Sequence, residues 1–173
     1  AVGDTAALHE VIDSGALYTA QVCYNLLNPS AGRAVPGGFP NQDFGQLIDR
    51  AAFKRMGCIA IRVLAAGALS GVMERHPIAV PSVAPIGTGV DYQADVQLAQ
   101  ALHFLTAEGH ADSLVEASMR FAWSKPEMST VLVGYSSLEH LDQAITAAAR
   151  GALPAAAMPG LEQAWVAFPA PRV

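Results

Sequence analysis

Residues 58–64 read CIAIRVL, from Cys58 to Leu64. All but Arg62 are apolar, so the run has no polar face to turn to water. A strand that is apolar on both faces belongs in a parallel sheet covered by helices. Upstream, a helix over about Asp43–Met56 stops at Gly57. Before it lie a Gly/Pro-rich loop over 26–41 and an apolar strand from Leu17 to Tyr24. A first helix, TAALHEVIDSG, takes Asp4 as its N-cap and Gly15 as its stop. Downstream, AAGALSG is a small-residue loop, and 76–90 is a second long Pro/Gly loop. Helices over about 91–108 and 112–124 follow, separated by Gly109 and ended by Pro126. Thr130 to Val133, TVLV, is a third buried strand. Ser137 to Arg150 forms a helix closed by Gly151, and a last helix covers roughly 159–167.

Helix and strand therefore alternate, the pattern of α/β folds with parallel strands and helical crossovers. A complete (β/α)8 barrel takes about 250 residues. The 173 residues here hold the units for part of one, read as a single incomplete barrel segment over 1–173.

Composition narrows the function. Hydrophobic residues make up 52% and charged residues 14%, an ordered chain with a sizeable core. A net charge of −5 without a basic run argues against a nucleic-acid surface. No leader and no bilayer-length apolar run is recognisable, so a cytoplasmic protein is expected. Cys23 and Cys58 fall inside strands and read as buried free thiols. His9, His76, His103, His110 and His140 show no metal-ligand spacing. The chain opens at Ala1 directly into helix-like sequence, as expected of a piece of something longer.

In parallel α/β folds, ligands bind at the carboxyl ends of the strands. Those ends read NLLNPS, LAAGALSG and VGYSSLEH. In the last, Gly134 admits a close backbone approach, and Ser136 with Glu139 has capping-box spacing. A helix N-terminus offers free N–H groups to an anion, so a phosphate could sit there, as could nothing beyond a capped helix. Gly67 and Gly71 likewise serve either a ligand or a plain turn. Arg62 within an apolar strand calls for an anion, either a structural carboxylate or a ligand phosphate. Gln21, flanked by Ala20 and Val22, poses the same choice for a carboxamide: a buried amide needs a neighbour or a ligand.

Three segments in series, QVCYNLLNPS, IAIRVLAAGALSG and SLVEASMRFAWSKPEMSTVLVGYSSLEHLDQA, resemble the aldo-keto reductases. The resemblance runs from the first helix to about Gly151 and matches the C-terminal part of that family's (β/α)8 barrel, roughly its last three strands. It implies reduction of aldehydes and ketones with NADPH, less often NADH. Gln21 matches the glutamine that bonds the nicotinamide carboxamide. Arg62, Leu64, Ala65 and Gly67 fall in the loop that wraps the pyrophosphate. Gly134, Ser136, Ser137 and Gln143 fall in the segment that holds the adenosine ribose and its 2′-phosphate. Ile61 stands where many members place a nicotinamide-stacking aromatic, Arg62 replaces a small serine, His140 replaces an Arg or Gln, and Ala144 replaces an Asn. The resemblance implies that the catalytic Asp, Tyr, Lys and His belong to the first half of the barrel, so no catalytic residue is assigned here. Lys54 and Lys125 each end a helix leading into a strand, and so belong at the amino-terminal end, away from the chemistry. The isolated segment is expected to be inactive. Its expected partners are a small carbonyl substrate and the missing barrel half or a second copy of itself. A non-catalytic half-barrel scaffold is the alternative.

Overall fold

The computed structural model describes residues 3–169. Three strands, β1 (Thr19–Cys23), β2 (Gly57–Ile61) and β3 (Met128–Val131), form one parallel sheet in the order β1-β2-β3. Seven α-helices accompany them: α1 (Thr5–Asp13), α2 (Leu47–Phe53), α3 (Tyr92–Gln100), α4 (Phe104–Ala107), α5 (Leu114–Trp123), α6 (Leu138–Arg150) and α7 (Met158–Ala167). Polar residues start several of them. Asp4, Asp91 and Ser113 accept bonds from the N–H groups of Ala7, Ala94 and Glu116, satisfying donors that a helix end leaves free.

One face of the sheet packs on helices. Val22, Tyr24, Cys58 and Ala60 are buried there against α2 and α5. Tyr24 stacks on Phe121 at 4.9 Å, and Phe121 meets Trp165 edge to face at 6.1 Å. The other face is only partly covered among the described residues. Gln21, Ile59 and Thr130 stand in one register row across the three strands; Gln21 and Thr130 are exposed and Ile59 is half-buried. Gln21 is therefore not the buried amide that its apolar neighbours suggested. Those neighbours are apolar because strand alternation sends them to the helix-covered side. Cys23, also on the partly covered side, is buried only because the loop over 76–90 folds onto it, with its thiol donating to the carbonyl of Ile86 at 3.2 Å.

Several boundaries differ from expectation. The helix expected at Asp43 starts at Leu47, because Gly45 and Gln46 are left-handed, with φ of 59° and 56°. The helix expected over 91–108 breaks after Gln100. Its hydrogen bonds tighten to three-residue spacing at Ala101, Leu102 and His103, and Leu102 and Leu105 both end fully buried. The third strand lies two residues earlier than TVLV. AAGALSG is not an open loop but two tight turns over Ala65–Ser70, with Ala66 and Gly67 left-handed between them. Both cysteines are free and buried, as their strand positions implied. Among the described residues, no helix is long and apolar enough to cross a membrane.

Candidate functional site

The turn NLLNPS, at the end of β1, spends its polar groups internally. Asn25, Asn28 and Ser30 are fully buried. Asn25 Oδ1 accepts from the N–H groups of Leu27 and Asn28, both at 2.9 Å. Asn28 Oδ1 accepts from Ser30, and its amide donates to the carbonyls of Gln42 (2.8 Å) and Gly87. Buried polar groups this fully paired are structural. This strand end therefore supplies a frame rather than a ligand contact.

The other two strand ends open into a cleft of about 850 Å³. Of the residues nominated from sequence, Arg62, Leu64, Gly67, Gly134, Ser136 and Gln143 line it. Gln21 and Ile61 do not; they stand on the partly covered sheet face. Ala65 is 5% exposed and faces a small cavity of about 10 Å³ behind Arg62 instead. Ser137 is consumed as the N-cap of α6, its hydroxyl accepting from His140 N–H at 3.3 Å. The cap is thus one residue later than the Ser136–Glu139 capping box suggested. Ser136 N–H donates instead to Nδ1 of His140, at 3.3 Å.

Backbone strain concentrates at one wall. Arg62, Ala65 and Ala66 have φ of 57°, 46° and 59°, a left-handed conformation that residues with a Cβ rarely adopt. Gly67 follows at 102°. Such clusters persist only where the surroundings over-determine them, and they gather at ligand clamps and active sites.

Two arginines, Arg62 and Arg75, line the cleft with one carboxylate, Glu74, in a chain whose net charge is −5, and His76 and His140 line it as well. Arg75 is anchored: Nη1 donates to the Ala66 carbonyl at 2.7 Å, Nε donates to that of Val80 at 3.0 Å, and the guanidinium stacks 4.9 Å from the Tyr92 ring centre. His76 and His140 meet edge to face at 5.6 Å, joining the loop to α6. Arg62 is different. Among the described residues it has no ion-pair partner within salt-bridge distance, and it lines both the cleft and the small cavity that Asp95 shares. Sequence reasoning missed Arg75, Tyr92 and the role of His76. The adjacent pair of basic residues entering a Pro/Gly loop just after Gly71 was the available signal.

Nearby groups do not offer reactive chemistry of their own. Burial pushes the Cys23 thiol up to about 12, far from a reactive thiolate. Burial also raises Asp95, which accepts from Thr88 Oγ1 (2.6 Å) and Gly89 N–H (2.7 Å) and so pins the tip of the loop. Lys125 pairs with Asp49 (2.5 Å) and Glu127 (3.0 Å), and Lys54 lies 3.9 Å from Asp13, all on segments leading into the strands. Both lysines sit at the amino-terminal end, as their positions in sequence implied.

The fold matches solved structures. The aldo-keto reductase AKR11C1 from Bacillus halodurans superposes in its holo form with a TM-score of 0.60 and in its apo form with 0.57, each at 15% sequence identity. The match covers 91% of this chain in both cases, and 46% and 47% of those chains, so this chain spans about half the length of these relatives. No curated protein sequence matches the chain. The sequence model of the aldo/keto reductase family matches residues 11–166, so the chain belongs to that family.

Proposed function

We propose that this segment is the cofactor-binding, C-terminal part of an NADPH-dependent aldo-keto reductase barrel, and that its cleft takes the phosphate-bearing end of the cofactor. One observation carries the reading: Arg62, Leu64, Gly67, Gly134, Ser136 and Gln143 come from two distant stretches of chain and line a single cleft, where two arginines face one carboxylate. The volume lies within the range of ligand pockets, about 300–1,000 Å³.

The residues present fit such a group. Gly134 leaves open space: a Cβ built there would meet nothing within 4 Å. Arg62 offers a guanidinium suited to phosphate geometry. Ser136 and Gln143 add polar contacts, and Leu64, Val115 and Met119 supply apolar wall. Gln21 and Ile61, on the partly covered face, would serve the nicotinamide end. When bound, the cofactor supplies a hydride to the carbonyl carbon of an aldehyde or ketone. The proton for the product oxygen comes from outside this segment, since Lys54 and Lys125 are committed to carboxylates at the far end. Among the described residues β1 and β3 are the outer strands of the sheet, and further strands of a barrel would pair beside them.

A second reading, a half-barrel scaffold that pairs with another chain, is favoured by one feature of α6. Leu138, Leu141 and Ile145 are 76%, 36% and 60% exposed at helical spacing, an unpartnered apolar stripe. Titration of the chain with NADPH and NADH, followed by nucleotide fluorescence, separates the two. Saturable binding, tighter for NADPH, with no carbonyl turnover, is the expected result. Failure of both nucleotides to bind refutes the cofactor reading and leaves the scaffold.

A further inference from the structure

We infer that Asn25 is a positioning residue for Arg62, holding the arginine backbone in the left-handed turn that delivers its guanidinium to the cleft. The inference rests on the reading of that cleft as an anion site.

Strand alternation alone would send Arg62 the wrong way. Cys58 and Ala60 are fully buried on the helix-covered face, and Arg62 is the next residue in that series. A lone guanidinium in that layer would be stripped of water with no carboxylate to meet it. The chain avoids this by turning left-handed at Arg62, with φ of 57°, and the side chain emerges half-buried at the cleft wall. A residue with a Cβ holds that conformation only when its neighbours enforce it.

The Arg62 carbonyl accepts two hydrogen bonds. One, from Ala65 N–H at 2.8 Å, closes the local turn. The other comes from the Asn25 side-chain amide at 2.9 Å, from the end of β1. The backbone pairing of the two strands ends one residue earlier, where Tyr24 N–H donates to the Ile61 carbonyl at 3.4 Å. Asn25 N–H has turned away to the Asn28 carbonyl. The Asn25 amide therefore takes the place of the next backbone donor. It cannot swing aside, because its oxygen accepts from Leu27 and Asn28 and the residue is fully buried. Asparagine meets both needs at once: aspartate lacks the donor, and serine is too short to reach across. Asn25 does not line the cleft, so any effect on a ligand passes through Arg62.

The test is a double-mutant cycle on the full chain, with NADPH as the probe, at low and high salt. Arg62→Met should weaken binding about 10- to 100-fold and flatten its salt dependence. Asn25→Asp, which keeps the acceptor and removes the donor, should weaken binding by about 5- to 20-fold with Arg62 present. In the Arg62→Met background the same change should cost less than about twofold, the non-additivity expected of coupled groups. Should Asn25→Asp not fold, Asn25→Ser runs through the same cycle. Equal losses in both backgrounds, or no loss in either, overturn the inference. If Arg62→Met alone leaves affinity unchanged, the anion-site reading of Arg62 falls first, and the role given to Asn25 falls with it.

Discussion

Replacing Gly134 with valine separates binding from folding more cleanly than any other change in this protein. Gly134 follows β3 at the cleft wall, exposed, with a φ outside the left-handed region and no atom within 4 Å of the point a Cβ would occupy. A surface change with no clash and no lost bond alters stability by no more than about 0.5 kcal/mol. For a chain of this length that is a Tm change below about 2 °C. The branched side chain would instead fill the space through which a phosphate reaches the backbone. Losing charge-assisted hydrogen bonds costs about 1.5–3 kcal/mol, which is about a 10- to 150-fold rise in Kd. Parallel thermal melts and NADPH titrations of wild type and Gly134→Val check both halves. An unchanged Kd refutes the placement of the cofactor against this segment. A fall in Tm several times larger than expected refutes the claim that the space beside Gly134 is open.

Glu116 is buried between Arg120 and Arg150, at 2.8 Å from each, and joins α5 to α6. Glu116→Gln should cost about 3 kcal/mol, the lower end for a broken buried pair because Arg150 is partly exposed, and lower Tm by about 6–12 °C. Burial pushes the Glu116 carboxyl up, but hydrogen bonds from Arg150 and Arg120 outweigh it and hold the group below its ordinary value of 4.5. Its stabilisation is therefore present above pH 4.5 and lost as pH falls through the lower folded value, so the variant should lose less stability than wild type in acid melts. Cys23 and Cys58 are fully buried with raised thiols, so maleimide should label neither in the native protein and both in denaturant; rapid native labelling would contradict the packing over Cys23. Lys125→Met should leave NADPH affinity within about twofold while lowering Tm, since its partners are Asp49 and Glu127 and not the cleft.

Much of the fold was legible because its signals are local. CIAIRVL announces a parallel strand, though β2 ends at Ile61 and only one of its faces is fully buried, and Asp4, Gly15 and Gly151 punctuate helices where expected. What was illegible depended on contacts between distant segments. Nothing near Gln21 in sequence says that its side chain lies on an exposed part of the sheet. Nothing within NLLNPS says that Asn28 bonds to Gln42 and Gly87 instead of a ligand. The break after Gln100 follows from burying Leu102 and Leu105 together, which overrides a good helical pattern. At the cleft, glycines and an arginine marked the right segments, yet the Arg75–Tyr92 stack arises only when the loop after Gly71 returns to α3.

The buried turn after β1 also has a consequence for synthesis. Trp165 Nε1–H donates at 2.8 Å to the Leu26 carbonyl, across a separation of 139 residues. The Asn28 amide waits for Gly87, 59 residues downstream. A chain emerging from the ribosome at about 5–20 residues per second leaves this turn without those partners for several seconds. Its polar groups, silent in the finished protein, are then open to water, and the Leu26 carbonyl is capped only once the segment carrying Trp165 has emerged.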